Sequence, residues 1–151
     1  MQKALLLSFV TFTGLALTVP LAPAGAAKKS DAVVKVKAKL DKSVSGKDVV
    51  VVNLEIEKGW HLYANPVGNE DFESGQVVVK LGDVPAKITY PAGKLVDDPI
   101  IGKYKVYEDK IEIRATLDRP AAKTPLEVSV RLQSCNDKVC LPPATVKVMV
   151  P

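Results

Sequence analysis

The chain contains two cysteines, Cys135 and Cys140, within the segment QSCNDKVCLPP at positions 133–143. Four residues separate the cysteines, and alternating apolar residues run into and out of the segment. This pattern predicts two antiparallel strands joined by a short loop, with one cysteine at each shoulder. Directly opposed residues on such strands have Cα atoms roughly 4.5–5.5 Å apart, a distance that a disulfide can bridge.

The cysteine pair is either a local staple or a redox pair. Closing a loop of about six residues removes only about 2 kcal/mol of unfolded-state freedom, and a bridge across a whole domain would give roughly twice that. Sulfurs at the end of a hairpin also lie near the surface, where an incoming thiolate can reach them. The chemistry of the pair alone leaves redox exchange, a staple and free thiols open.

Residues 1–27 have the pattern of a signal peptide. Lys3 precedes a mostly apolar stretch at 4–19, and small residues offer cleavage sites after Ala24 or Ala26. The stretch is short and is interrupted by Gly14 and Pro20, which disfavours a membrane-spanning helix, although a retained anchor stays an alternative. We therefore expect a periplasmic or secreted protein, in a compartment where disulfides persist.

Residues 28–151 are enough for one domain, and we expect a monomer. Their net charge is about +3, because 20 basic residues face 17 acidic ones, and few aromatics accompany the lysines. This mild balance argues against nucleic-acid binding. Alternation with period two predicts an all-β fold of about eight or nine strands, namely an immunoglobulin-like antiparallel β-sandwich, with a small closed barrel as the alternative. The predicted strands are residues 32–40, 48–57, 59–63, 76–81, 87–90, 104–107, 110–117, 126–133 and 144–150.

Other chemistries have little support in the sequence. The only histidine is His61, so the chain lacks the four Cys or His ligands of a structural zinc site and the histidines of a copper site. A hydrolase with a nucleophilic cysteine is disfavoured because a second cysteine lies close enough to oxidise the first. We expect no metal and no cofactor other than the disulfide, and we interpret His61 as a half-exposed strand residue.

The predicted loop at 91–102 contains unusual residues. Asp98 stands before Pro99, a combination that begins turns, but an acid brought close to the cysteines could also carry a proton during exchange. Ile100 and Ile101 are apolar where loops are usually polar. They either shield a reactive site or close one end of the sandwich.

Three segments together resemble the N-terminal periplasmic domain of the DsbD family of thiol:disulfide interchange proteins. QSCNDKVCLPP is similar to the cysteine hairpin of that family, in which a Gln, two cysteines and Pro-Pro follow one another. KGWHLYAN at 58–65 resembles an early strand of the family, and DDPIIGKYKVYEDKI at 97–111 resembles its loop-and-strand segment. The matches occur in the family order and cover most of residues 28–151.

The resemblance implies an immunoglobulin-like fold and a specific site. Cys135 and Cys140 would be the exchanging pair, with Cys140 forming the mixed disulfide with a partner. Asp98 would be the nearby acid, and Tyr63 a wall of the site. The cap over the sulfurs would be Ile100 and its neighbours Pro99 and Ile101.

The sequence also departs from the family pattern. The loop between the cysteines is one residue shorter, Ile100 stands where the cap is usually aromatic, and Pro99 replaces a second acid. Neither a membrane domain nor a thioredoxin-like domain follows, so we expect the electron donor to be a separate membrane or thioredoxin-like polypeptide.

The sequence thus predicts a thiol–disulfide oxidoreductase of the protein-disulfide reductase type. By the resemblance, it relays reducing equivalents to thioredoxin-like or disulfide-isomerase acceptors. The alternative is a non-enzymatic protein-binding module in which the Cys135–Cys140 disulfide is a staple.

Overall fold

A computed structural model describes residues 27–44, 47–117 and 125–151, with the side chains of all of these except residues 42–44. The predicted signal peptide, apart from its last residue, and residues 118–124 lie outside these ranges. The described residues form eleven strands: β1 (Val34–Val44), β2 (Lys47–Ile56), β3 (His61–Tyr63), β4 (Val78–Lys80), β5 (Ala86–Thr89), β6 (Lys94–Asp98), β7 (Gly102–Tyr107), β8 (Lys110–Leu117), β9 (Leu126–Leu132), β10 (Ser134–Cys135) and β11 (Ala144–Val150). Two 3₁₀ helices, Ser30–Val33 and Glu70–Gly75, complete them.

The strands form three antiparallel sheets. Their orders are β1-β2-β8-β5, β10-β3-β7-β6 and β11-β9-β4. In β2 and β9, alternation places apolar side chains inside: Val50, Val52 and Leu54 of β2 are fully buried, as are Val128 and Val130 of β9. These residues belong to one apolar core that joins all three sheets. The all-β sandwich predicted from the alternation is therefore what the chain forms.

The sheet β10-β3-β7-β6 buries residues on both of its faces. Leu62 and Tyr107, which are paired across β3 and β7, pack into the main core. Tyr63 and Val106, the neighbouring pair, belong instead to a second, smaller apolar cluster that includes Cys135. Because successive residues of a strand point to opposite faces, this sheet separates the main core from the cysteine region.

Two segments differ from the predicted loops. Residues 94–98 form β6, which pairs with β7 along its whole length, and residues 70–75 form a 3₁₀ helix. β6 has no buried residue, so it lacked the apolar alternation that marks a half-buried strand. Its pairing with β7 makes it a strand. No helix among the described residues is long and apolar enough to cross a membrane.

Candidate active site

The disulfide joins two cysteines of very different exposure. Cys135 and Cys140 are bonded, with their Cα atoms 4.0 Å apart. Cys135 ends β10 and is only 2% exposed, whereas Cys140 is an exposed residue of the following loop. An incoming thiolate has access to Cys140 and not to Cys135. The disulfide thus has an outer sulfur, that of Cys140, and an inner sulfur, that of Cys135, and we call it a polarised pair in this sense.

The loop between the cysteines is closed by Asn136. Its side-chain oxygen accepts hydrogen bonds from the backbone N–H groups of Lys138 and Val139, both at 2.9 Å. Its own N–H donates to the carbonyl of Val139 at 2.9 Å. Asparagine favours such turns because its side chain can replace a backbone acceptor. The turn presents Val139, which is 51% exposed, beside Cys140.

A pair of fully buried serines ties the cysteine hairpin to the beginning of the domain. Ser134, next to Cys135, donates its N–H to the Ser30 hydroxyl at 2.9 Å and its own hydroxyl to the Ser30 carbonyl at 3.0 Å. The Ser30 hydroxyl donates to the carbonyl of Pro142 at 2.8 Å. These bonds span more than 100 residues and hold both arms of the hairpin, one before Cys135 and one after Cys140.

One face of the sheet β10-β3-β7-β6 carries the side chains around the disulfide. Cys135 is directly opposite His61, and Tyr63, two residues along β3, is opposite Val106. Directly opposed residues share a face, so His61, Tyr63 and Cys135 lie on the same side. The Tyr63 hydroxyl is 3.9 Å from the Cys140 Sγ. The disulfide sulfur carries no proton, so the phenol is the donor of this weak contact.

An aromatic cluster surrounds Tyr63. Phe72, from the 3₁₀ helix Glu70–Gly75, stacks on Tyr63 with ring centroids 4.8 Å apart, and Tyr104 lies edge-on to Tyr63 at 6.1 Å. Burial, and secondarily Tyr104, raises the pKa of Tyr63, so its hydroxyl stays protonated at neutral pH. The pKa of Tyr104 is also raised, mainly by burial and then by Asp98 and Asp137. The cluster thus packs around the ring of Tyr63, whose hydroxyl contacts the outer sulfur.

Asp98 lies at the end of β6, in the turn that leads to β7. Its side-chain oxygen accepts hydrogen bonds from the N–H groups of Ile100 at 2.8 Å and Ile101 at 3.1 Å. These two bonds lower the pKa of Asp98 because they stabilise the charged form. β6 is three strand positions from β10, about 14 Å across the sheet. By the register of the sheet, Asp98 shares a face with Tyr104 and Val106, the face that also carries Tyr63 and Cys135.

A profile of the family "Thiol:disulfide interchange protein DsbD, N-terminal" matches residues 20–151. The chain belongs to this family. The resemblance found in the three sequence segments is thereby confirmed. No curated protein matches the sequence.

Solved structures of the DsbD N-terminal family share the fold. The reduced DsbD N-terminal domain of Neisseria meningitidis is 19% identical, with a TM-score of 0.59, over 80% of this chain and 85% of that one. A chain from the complex between the DsbD and PilB N-terminal domains of the same organism is 17% identical, with a TM-score of 0.57, over 87% and 88%. The N-terminal periplasmic domain of ScsB from Proteus mirabilis is 19% identical, with a TM-score of 0.55, over 87% and 49%. The immunoglobulin-like fold expected from the sequence is confirmed.

Membership of the DsbD N-terminal family and the Cys135–Cys140 disulfide together indicate a thiol–disulfide redox role. The redox group is the disulfide itself. Among residues 27–44, 47–117 and 125–151, no group of three or more His, Cys, Asp or Glu side chains could hold a metal ion.

The residues predicted to cap the DsbD-type site are exposed. Ile100 is 91% exposed and Ile101 47% exposed. Pro99 is also exposed. The hydroxyl of Tyr63 lies close to the Cys140 Sγ. The capping role of the turn and the proton-carrying role of Asp98 stay predictions.

Several residues around the disulfide were missed by sequence reasoning. Phe72 stands in a predicted polar loop, and nothing local marks it as a partner of Tyr63. Tyr104 is two residues from Val106 on the same strand, so the two side chains share a face. Once the strand order was known, this spacing could have placed Tyr104 on the face of Tyr63. Ser30 and Ser134 are found only by long-range pairing.

Proposed function

We propose that the chain is an exported thiol–disulfide exchange domain that relays reducing equivalents to acceptor proteins through Cys135 and Cys140. The supporting observation is the polarised pair, an exposed Cys140 bonded to a Cys135 that is 2% exposed. A purely structural staple has no need for one accessible sulfur, whereas exchange requires that a partner reach one cysteine and not the other.

In the proposed reaction the reduced Cys140 thiolate attacks a sulfur of the acceptor disulfide. A bond forms between Cys140 and that sulfur, and the acceptor's second sulfur leaves as a thiolate. Cys135 then attacks the Cys140 Sγ, the Cys135–Cys140 disulfide forms, and the acceptor leaves with both sulfurs reduced. The hydroxyl of Tyr63, 3.9 Å from the Cys140 Sγ, is placed to donate a hydrogen bond to the Cys140 thiolate.

We further propose where the domain works and what it meets. Residues 1–27 would act as a signal peptide, and the domain would be a periplasmic or secreted monomer. Acceptors would be thioredoxin-like or disulfide-isomerase proteins, and a separate membrane or thioredoxin-like protein would supply electrons. The solved complex of a DsbD N-terminal domain with the PilB N-terminal domain supports a protein as the partner. Asp98 would assist proton transfer, with Pro99, Ile100 and Ile101 as the cap.

Equilibration with glutathione redox buffers tests the proposal. We expect a reduction potential of roughly −180 to −270 mV, the range of known exchange proteins. A value well below about −300 mV is typical of structural disulfides and would establish the staple instead.

Trapping provides a second test. Cys135→Ala leaves the accessible Cys140 without its resolving partner, so we expect stable mixed disulfides in the exported fraction. The matched control is Cys140→Ala, which leaves only the buried cysteine and should trap nothing. If both variants trap equally little, the relay is refuted.

A further inference from the structure

The second step of exchange requires deprotonation of a buried cysteine. Cys135 is 2% exposed, and it must become a thiolate to attack the Cys140 Sγ. A charge formed in such a place is costly unless a nearby group compensates it. An acid–base partner within reach of Cys135 would meet this need. Asp98 is an unsuitable candidate, since it lies three strand positions away with its carboxylate engaged in a turn.

His61 is the titratable residue directly opposite Cys135. The two residues are partners in the antiparallel pairing of β3 with β10. Their side chains share one face, and opposed Cβ atoms are about 4.5–5.5 Å apart. The imidazole ring is 6.2 Å from the ring of Tyr63, whose hydroxyl contacts Cys140. His61 is thus the strand neighbour of the inner cysteine, and Tyr63, two residues further along β3, contacts the sulfur of the outer one.

An open cavity gives this histidine a route for protons. The cavity has a volume of about 290 Å³, which is room for several water molecules. The charged groups that face His61 there come from three segments, the turn before β3, the turn between β7 and β8, and the loop between the cysteines: Lys58, Glu108, Asp109 and Asp137. From β3 itself, Tyr63 is the titratable neighbour. A proton held by the imidazole of His61 can therefore exchange with the solvent in the cavity.

The electrostatics of the cavity favour a proton acceptor at neutral pH. Burial lowers the pKa of His61 from its usual 6.5, while Glu108 and Asp137 act in the opposite direction. A neutral imidazole has a free nitrogen that can accept a proton. The same two carboxylates then stabilise the imidazolium that forms.

We propose that His61 is the acid–base partner of Cys135. As Cys135 attacks the mixed disulfide, its proton moves to the imidazole, the Cys135–Cys140 bond forms, and the bond from Cys140 to the acceptor breaks with the electron pair on the acceptor sulfur. In the reverse direction, the imidazolium returns the proton to Cys135. This inference rests on the proposed exchange function, and nothing in the DsbD resemblance assigns His61 a role.

The aromatic disulfide DTNB separates the two steps. Reduced Cys140 attacks it and releases one coloured thiolate, and Cys135 then displaces the second from the mixed disulfide. We expect His61→Gln to leave the first release within about threefold and to slow the second about 10²-fold, the lower end of the range for a positioned proton acceptor. The dependence of the second release rate on pH should also lose the inflection that titration of His61 produces. The control Glu57→Gln, an exposed acid outside the cavity, should change neither release.

Chemical rescue distinguishes proton transfer from a structural effect. His61→Ala should also slow the second release, and added imidazole should restore it, because the cavity is open. Circular dichroism shows whether each variant is folded. The inference requires that at least one folded variant has both a slow second release and an altered pH profile of that release.

Three outcomes would overturn the inference. The second release in folded His61→Gln could stay within about threefold of wild type, its pH profile could be unchanged, or imidazole could fail to restore folded His61→Ala. If wild type itself releases only one thiolate, the exchange function fails as well, because no resolving step then exists. If wild type and the His61 variants all release both thiolates at similar rates, the role of His61 is refuted and the exchange function still stands.

Discussion

Replacing Ser30 with alanine would remove a single hydroxyl that joins the start of the domain to the cysteine hairpin. That hydroxyl accepts the N–H of Ser134 at 2.9 Å and donates to the carbonyl of Pro142 at 2.8 Å. The backbone bond from the Ser30 N–H to Pro142 and the bond from the Ser134 hydroxyl to the Ser30 carbonyl would remain. The substitution therefore tests the hydroxyl and little else.

The expected loss follows from the burial of the groups involved. Ser30 and Ser134 are both 0% exposed. Losing a hydrogen bond costs about 1 kcal/mol, and leaving a buried N–H without an acceptor costs roughly 1–3 kcal/mol. We expect Ser30→Ala to reduce the free energy of unfolding by about 2–3 kcal/mol. For a domain of this size the melting temperature should fall by about 8 °C or more.

Urea unfolding at neutral pH, followed by circular dichroism, measures this loss. With a slope of about 2 kcal/mol per molar urea, the midpoint should decrease by about 1 M. Ser74→Ala is the matched control, since Ser74 is an exposed serine, and it should stay within about 0.5 kcal/mol of wild type. A loss for Ser30→Ala no larger than that of the control would refute the view that this hydroxyl holds the hairpin.

Three further substitutions probe the site. Asp98→Asn removes the carboxylate, so it should slow glutathione exchange between pH 6 and 8. It keeps an oxygen that can accept the hydrogen bonds of the turn, so the domain should stay folded. An unchanged rate would exclude Asp98 from the reaction. Because its folded pKa is lowered, the carboxylate of Asp98 should add stability above the unfolded value of about 3.9, and urea titrations should show this advantage over the asparagine disappearing as the pH falls through the folded value. Phe72→Ala removes the ring stacked on Tyr63, which should cost about 1–2 kcal/mol in urea unfolding and loosen Tyr63 beside Cys140, so that dithiothreitol reduces the disulfide faster. An unchanged reduction rate would show that the stacking does not hold Tyr63 against the disulfide. Gly75→Ala would put a Cβ 2.8 Å from the Tyr63 ring and 2.7 Å from the Gln133 side-chain oxygen, so we expect a loss of about 1–3 kcal/mol and a changed near-ultraviolet circular dichroism spectrum, and a wild-type spectrum with wild-type stability would contradict this close packing.

The strands with one buried face were predictable because their signal is local. Residues 48–57 were expected to form a strand, and β2 is Lys47–Ile56; residues 144–150 match β11. An apolar residue at every second position indicates that one face of a strand lies on the core and the other in solvent, and this pattern can be seen within a single segment. β6 and the two-residue strand β10 carry no such record. They are strands because β7 and β3 lie beside them.

The position of Asp98 shows the limit of a local signal. Its sequence context, an acid before Pro99, indicated a turn, and the structure has that turn with both backbone hydrogen bonds in place. Whether an acid also serves a distant sulfur depends on which strands separate them. The order β10-β3-β7-β6 puts Asp98 at the opposite edge of the sheet from Cys135.

The sequence by itself indicated that the two cysteines would lie close together, because they are five positions apart between two predicted strands, but it left open whether they form a disulfide. It also determined the all-β class and, through three motifs, the family. Only the tertiary structure decided which sulfur is exposed, that Ser30 ties down the hairpin from 104 residues away, and that His61 stands opposite Cys135. These are consequences of pairing between distant segments, which depends on the packing of the whole sandwich and leaves no mark in the local pattern of residues.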